Sequence, residues 1–257
     1  MGETTYPEEQ YELLSDSEAE HNHERDDELE PLPSMGSDSI AKAEGRRGDD
    51  LAKRMAMIGI SILTICTWGI TLNNNPTSLG LFPFHPLLQS LALVCFTYGI
   101  LTLQPTSQPA TKAAGLKRHQ LAMLGVGLPC IILGTSAIIL RKWYRAADHF
   151  TTWHGTFGIA AVLWMVVQAL FGGASVWYGG AILGGGAKAK ALWKYHRISG
   201  YVLFPLLLVT AHLGGAWSHW AASESSYAVR LIAYYIAPVV TLVGIYLRLR
   251  PSKMAIR

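Results

Sequence analysis

Acidic residues are nearly missing from four fifths of this 257-residue chain: beyond residue 50 there are only Asp148 and Glu224. Charged residues of both signs amount to 15%. That is too few for the solvated surface of a soluble domain this size and ordinary for a chain that crosses a bilayer several times. Cysteine is also scarce. Cys66, Cys95 and Cys130 are the whole set, each inside an apolar stretch and none in a Cys-x-x-Cys spacing. This argues against a disulfide framework, a zinc ribbon or covalently attached c-type haem. The N-terminus lacks the basic start and apolar stretch of a secretory signal peptide, so the first membrane segment is expected to direct insertion.

What is present is sharply divided. Residues 1–50 carry sixteen of the eighteen acidic side chains and a net charge of −12, while the remainder carries +15. Residues 1–50 have too few apolar side chains to offset the entropy of ordering them, and are read as a disordered acidic cytoplasmic tail. Within it, "EQYELL" has the acidic-then-dileucine form of an endosomal or vacuolar sorting signal, and Ser15 and Ser17 stand in an acidic context suited to phosphorylation.

The remainder divides into a six-helix domain, 51–250, and a short basic cytoplasmic tail, 251–257. Hydropathy places spans near 54–74, 83–103, 119–140, 152–177, 196–218 and 227–247, each about the length needed to cross a bilayer core. With the N-terminus in the cytoplasm, that side receives sixteen basic residues and the opposite side four: Arg141, Lys142, Arg145 and Arg230. The positive-inside bias therefore puts both termini in the cytoplasm. The expected fold is an all-α membrane protein of six transmembrane helices. The expected setting is a lipid bilayer, in an endomembrane (vacuole, endosome or ER) or the plasma membrane, with no nucleic-acid partner.

Four of the nine histidines recur in one place. His85 in "LFPFHPLL", His119 in "LKRHQLAM", His154 in "TTWHGTFG" and His196 in "WKYHRISGY" each open a predicted span. The second and fourth spans start on the far side, which brings His85 and His154 to one face. The third and fifth start in the cytoplasm, which brings His119 and His196 to the other. Two imidazoles without cysteine or carboxylate make a poor tetrahedral zinc site, but they complete an octahedral haem iron between apolar walls. Gly158 follows His154 at i+4 and Gly200 follows His196 at i+4, on the face where each histidine projects, and both are expected to leave room for a flat ring. The rest are assigned quieter places: His21 and His23 in the tail, His149 in a loop, His219 at the interface. A single-helix pair of His196 and His212 fails on angle, since sixteen residues turn the helix about 160°; His212 is read as a buried polar residue.

In this order, "FHP", "KRHQ", "HFTTWHG" and "KYHRISG" resemble the cytochrome b561 family of transmembrane di-haem reductases, in particular its short branch without an added extracellular domain. The resemblance covers roughly residues 50–250. It implies a central four-helix bundle holding two b-type haems, with His85/His154 and His119/His196 as the axial pairs. It also implies electron flow from cytosolic ascorbate to monodehydroascorbate or a ferric chelate. Better-studied members carry a tyrosine- and arginine-containing basic motif where this chain reads "LTLQPTSQPATKAAGLKRHQ", a departure that bears on the donor rather than on haem. Related proteins are often dimers, so a homodimer stays open, although no feature here specifies an interface.

Anionic ascorbate and haem propionates both need cations. Lys117, Arg118, Lys194 and Arg197 flank the cytoplasmic pair, and Arg141, Lys142 and Arg145 flank the far pair. Orientation bias explains the first group and not the second, which makes the far-side trio the sharper candidate for an acceptor or propionate site. Two rivals stand beside this reading. A haem-free transporter or proton pathway would use membrane histidines as titrating groups, with Gln168, His212 and Pro129 at mid-depth. A membrane scaffold would work through its acidic tail.

Overall fold

A computed structural model describes residues 44–104 and 106–254. The proposed sorting signal, Ser15, Ser17, His21 and His23 lie outside the described residues. Six helices are long and apolar enough to cross a membrane: α1 (Asp49–Asn73), α2 (Phe84–Thr102), α3 (Pro109–Tyr144), α4 (Trp153–Val176, followed by a kinked stretch, Trp177–Leu183, with Tyr178, Gly179 and Gly180 at positive φ), α5 (Gly186–Trp217) and, after the short α6 (His219–Glu224), α7 (Tyr227–Leu247). Large apolar side chains such as Leu133, Leu163, Leu170 and Val239 point outward all round the bundle, as they do where the solvent is lipid.

The helices begin where sequence chemistry allows. Thr152, Ser218 and Ser226 accept from the backbone N–H of Gly155, Ala221 and Val229, capping α4, α6 and α7. Pro109 occupies the first turn of α3, where its missing N–H costs nothing. Two stretches widen to π-helix, Leu121–Gly127 and Leu231–Ile236, each just before a proline, Pro129 and Pro238. A proline cannot donate to the carbonyl four residues back and crowds it, so the preceding turn opens. The reversal between α4 and α5 uses Gly184 and Gly185 at φ 89° and 68°, values an L side chain rarely adopts.

Two helices extend beyond the spans expected from hydropathy. α3 and α5 begin at Pro109 and Gly186 rather than near 119 and 196, so His119 and His196 each stand ten residues inside their helices. The extra turns, "PATKAAGLKR" and "GAKAKALWKY", are alanine- and lysine-rich, good helix formers that need no lipid.

The packing sets the site. α2 packs chiefly on α3, α4 on α5, and α1 on both α7 and α2. The α2/α3 hairpin and the α4/α5 hairpin touch each other only sparsely along their facing sides. α1 and α7 close one flank through glycines. A Cβ on Gly59 would stand 2.6 Å from the Ala237 carbonyl, and one on Gly244 2.5 Å from that of Ala52, so these helices meet backbone to backbone.

Both described ends meet on one face, called here the terminal face. Arg46 donates to the Leu247 carbonyl at 2.8 Å, Arg250 pairs with Asp49 at 3.2 Å, and buried Arg248 donates to the carbonyls of Asp49 and Gln104. The Glu44 carboxylate accepts from Ser107 N and Oγ, Gln108 N and Thr111 Oγ1 at 2.6–2.9 Å, sealing the start of α3. Desolvation acts to raise its pKa, but these four donors outweigh it and hold the carboxyl at about 2. Burial, then the neighbouring Arg197, Lys112 and Arg250, lowers the pKa of Lys253, which donates to the Thr106 carbonyl at 2.5 Å.

Candidate functional site

Four histidines bridge the two hairpins. His85 of α2 faces His154 of α4 with ring centres 5.8 Å apart and planes at 82°. His119 of α3 faces His196 of α5 at 6.5 Å and 84°. The first pair stands opposite the terminal face and the second on its side of the bundle. Within each pair the partners come from different hairpins.

Hydrogen bonds set the ring tautomers. Nδ1 of His85 lies 3.1 Å from the Gly134 carbonyl, that of His119 3.0 Å from Gly99 O, and that of His154 2.8 Å from Thr210 O. A carbonyl oxygen only accepts, so in these three rings Nδ1 carries the proton and Nε2 keeps its lone pair. Such a partner behind a ligating imidazole is the usual way a protein fixes its orientation. The Nδ1 of His196 is buried and makes no hydrogen bond as well formed as the other three, with the Gln168 backbone as the group nearest to serving it; its ring lies near-parallel to Phe171 with centres 6.4 Å apart.

The donor set decides which group fits. No cluster of three or more His, Cys, Asp or Glu is found among the described residues, so the pairs are two-ligand sites, unsuited to four-coordinate zinc. Ring centres 5.8 and 6.5 Å apart leave room for one metal ion between two imidazole nitrogens, each bonding at about 2 Å. Two neutral imidazoles facing each other across sparsely packed, apolar hairpins fit a planar macrocycle with bis-histidine ligation.

The remaining candidates separate. Gly158 and Gly200 do not touch a histidine: a Cβ on Gly158 would meet only Thr210 Cγ2 at 3.5 Å, and one on Gly200 only Gln168 Nε2 at 3.1 Å. The glycines against the rings are Gly172, beside His196, and Gly214, beside His154. At the opposite face Arg141 lies 5.3 Å over the Phe82 ring and leaves its buried Nε without a partner. Lys142 spends its ammonium on the Asp148 carbonyl at 2.6 Å, and Arg145 is exposed. At the terminal face Arg197 donates to the Lys253 carbonyl, and Lys194 lies 5.1 Å over the Tyr195 ring. Lys117 and Arg118 are exposed beside His119.

The mid-membrane polar set has structural partners. His212 uses both nitrogens, Nδ1 toward the Tyr234 carbonyl at 2.8 Å and Nε2 accepting from Trp217 Nε1 at 3.2 Å. Gln168 donates to the His196 carbonyl at 2.6 Å, and Pro129 closes the π segment of α3. Sequence reasoning missed the carbonyl acceptors, Gly172 and Gly214, and the part played by Arg248, Arg250 and Lys253 in closing the terminal face. For the two glycines there was a signal, their spacing from the histidines.

The profile of the family described as eukaryotic cytochrome b561 matches residues 84–222, which contain all four paired histidines. The chain is 34% identical over 165 residues to the protein named transmembrane reductase CYB561D2 of Bos taurus, covering 63% of this chain and 72% of that relative. The Homo sapiens protein of the same name is 33% identical over 165 residues with the same coverage. That of Mus musculus is 33% identical over 154 residues, 54% of this chain and 68% of the relative.

Proposed function

The chain belongs to the eukaryotic cytochrome b561 family of integral membrane electron-transfer oxidoreductases, and from that premise we propose that it passes electrons across its membrane through two haem b groups, one at each histidine pair. The proposed donor is cytosolic ascorbate, at the terminal face, which this reading makes cytoplasmic. The proposed acceptor on the other side is monodehydroascorbate or a ferric chelate. The observation that carries the reading is the double bridge between hairpins, with ring centres 5.8 and 6.5 Å apart.

In this reading His85 with His154, and His119 with His196, would hold the two haems. When bound, each haem would supply one-electron chemistry. The Nδ1–H bonds to Gly134, Gly99 and Thr210 hold three rings in the tautomer that offers Nε2 inward. Two histidines and, among the described residues, no acid, base or nucleophile beside them suit relay rather than bond chemistry, and substrates would meet the protein at its two faces. Arg141, half-buried with an unpartnered Nε, would hold a propionate or an anionic acceptor, and that free donor supports the role. Lys117, Arg118 and Lys194 supply positive charge at the terminal face, drawing in an anionic donor by steering. Arg197 works instead in holding the C-terminal segment over that face.

The test is purified protein reconstituted in sealed vesicles, with ascorbate on the terminal side and a ferric chelate on the other. A b-type reduced-minus-oxidised spectrum and chelate reduction across the sealed membrane are expected. Protein without the spectrum, or flux of a solute or proton through haem-free protein, overturns the reading in favour of the transporter.

A further inference from the structure

Eighteen residues separate His154 from Gly172 on α4, and eighteen separate His196 from Gly214 on α5. At about 100° and 1.5 Å per residue that is five full turns and about 27 Å of rise. Each helix therefore carries a histidine near one end and, on the same face, a glycine near the other. α4 and α5 run antiparallel in close contact, so each histidine meets the other helix's glycine.

The contact is tight. A Cβ on Gly172 would lie 2.6 Å from Cε1, 3.1 Å from Nδ1 and 3.3 Å from Nε2 of His196. One on Gly214 would lie 2.6 Å from Cε1, 2.7 Å from Nδ1 and 3.3 Å from Nε2 of His154. Carbon atoms in comfortable contact stand about 3.5–4.0 Å apart, so a methyl group at either position requires the ring to move by about 1 Å. Gly158 and Gly200 have no such ring beside them.

We propose that Gly172 and Gly214 are crossed seats for the axial histidines: Gly172, on the helix that carries His154, positions His196, and Gly214, on the helix that carries His196, positions His154. This rests on the haem reading above and adds two positioning residues to it. A ring pushed aside at its Cε1 edge shifts Nε2 relative to the histidine it faces across the pair, so each substitution would weaken cofactor binding at the site farther from the altered helix's own histidine.

The experiment uses the full-length, haem-loaded protein and three variants: G172A, G214A and the control G69A, at a glycine of α1 where an added Cβ meets nothing within 4 Å. The two haems are told apart by which low-spin electron paramagnetic resonance signal disappears in H119A and which in H85A. The expected result is crossed. G172A shifts or abolishes the signal and midpoint potential of the haem lost in H119A, G214A does the same to the haem lost in H85A, and the control leaves both in place. Variants that affect neither haem, both equally, or the haem of their own helix's histidine overturn the inference.

If G172A fails to accumulate, removing the ring relieves the clash. G172A/H196A is then expected to accumulate as H196A does, with the haem of the His85/His154 site retained. A double variant that fails as G172A fails shows the glycine is needed for something other than the ring, and the inference falls. Wild-type protein without a b-type spectrum contradicts the haem reading and the seats together; two haems with uncrossed effects contradict the seats alone.

Discussion

Replacing His212 with alanine separates a structural histidine from a working one. Its Nδ1 donates to the Tyr234 carbonyl at 2.8 Å, its Nε2 accepts from Trp217, and its ring sits 4.5 Å from that of Tyr235 at 87°. H212A removes one N–H···O=C bond, leaves a carbonyl unpaired inside a π-helical turn, and loses an edge-to-face ring contact. These cost about 1–3 kcal/mol for the unpaired carbonyl and its lost bond together, and about 0.5–1.5 kcal/mol for the rings, for a total of about 3 kcal/mol. In a domain of roughly 200 residues that lowers the unfolding midpoint by about 10 °C. The assay is thermal unfolding of detergent-solubilised protein, followed by tryptophan fluorescence, with haem content measured at ambient temperature. The expected outcome is a lower midpoint with two haems retained, partly recovered in H212N, whose amide can donate to the same carbonyl. H212A with an unchanged midpoint but lost haem or lost transmembrane electron transfer would refute this reasoning and make His212 part of the conduit.

Two further outcomes follow from the two faces. The Glu44 carboxyl, held at about 2 against an ordinary 4.5, favours the native clasp wherever it is ionised in both states. That contribution is complete above about pH 4.5 and is lost as pH falls toward 2. At this partly exposed position it amounts to about 1 kcal/mol after solvent screening. E44Q should speed proteolytic cleavage ahead of Asp49 several-fold at pH 7 with the haem spectrum unchanged, and equal cleavage rates would count against the clasp. R141Q should slow reduction of an anionic ferric chelate at the opposite face about tenfold or more, the loss of one partly buried charge-assisted contact, while reduction of the protein by its donor stays as in wild type. A uniform loss with neutral and anionic acceptors alike would place Arg141 at a propionate instead.

Much of the fold was legible because the bilayer imposes simple rules. About twenty apolar residues make a span, and alternating direction groups the four histidines into two sets at opposite ends. What hydropathy cannot see is a helix that continues into water: α3 and α5 run ten residues past the expected start, on alanine and lysine rather than on apolar side chains. The sequence points to Gly158 and Gly200, at i+4 on the same helix, as room for a macrocycle, and an added Cβ at either meets a single side-chain atom. The close approaches to the imidazoles come from the neighbouring helix, at a spacing of eighteen residues that only an antiparallel partner makes meaningful. The carbonyls of Gly99, Gly134 and Thr210 were not legible at all, since backbone acceptors carry no sequence signature. The gathering of Arg248, Arg250 and Lys253 over the start of α3 depends on contacts across some 150–200 residues of chain, which no local pattern encodes.

The central claim is that each haem is held by one histidine from each hairpin, and haem stoichiometry in paired double variants tests it most directly. H85A/H154A removes both ligands of one site and should retain one haem per chain; H119A/H196A should do the same. H85A/H119A removes one ligand from each site and should retain none with bis-histidine ligation. One low-spin haem surviving in H85A/H119A, with none in H85A/H154A, would contradict the pairing.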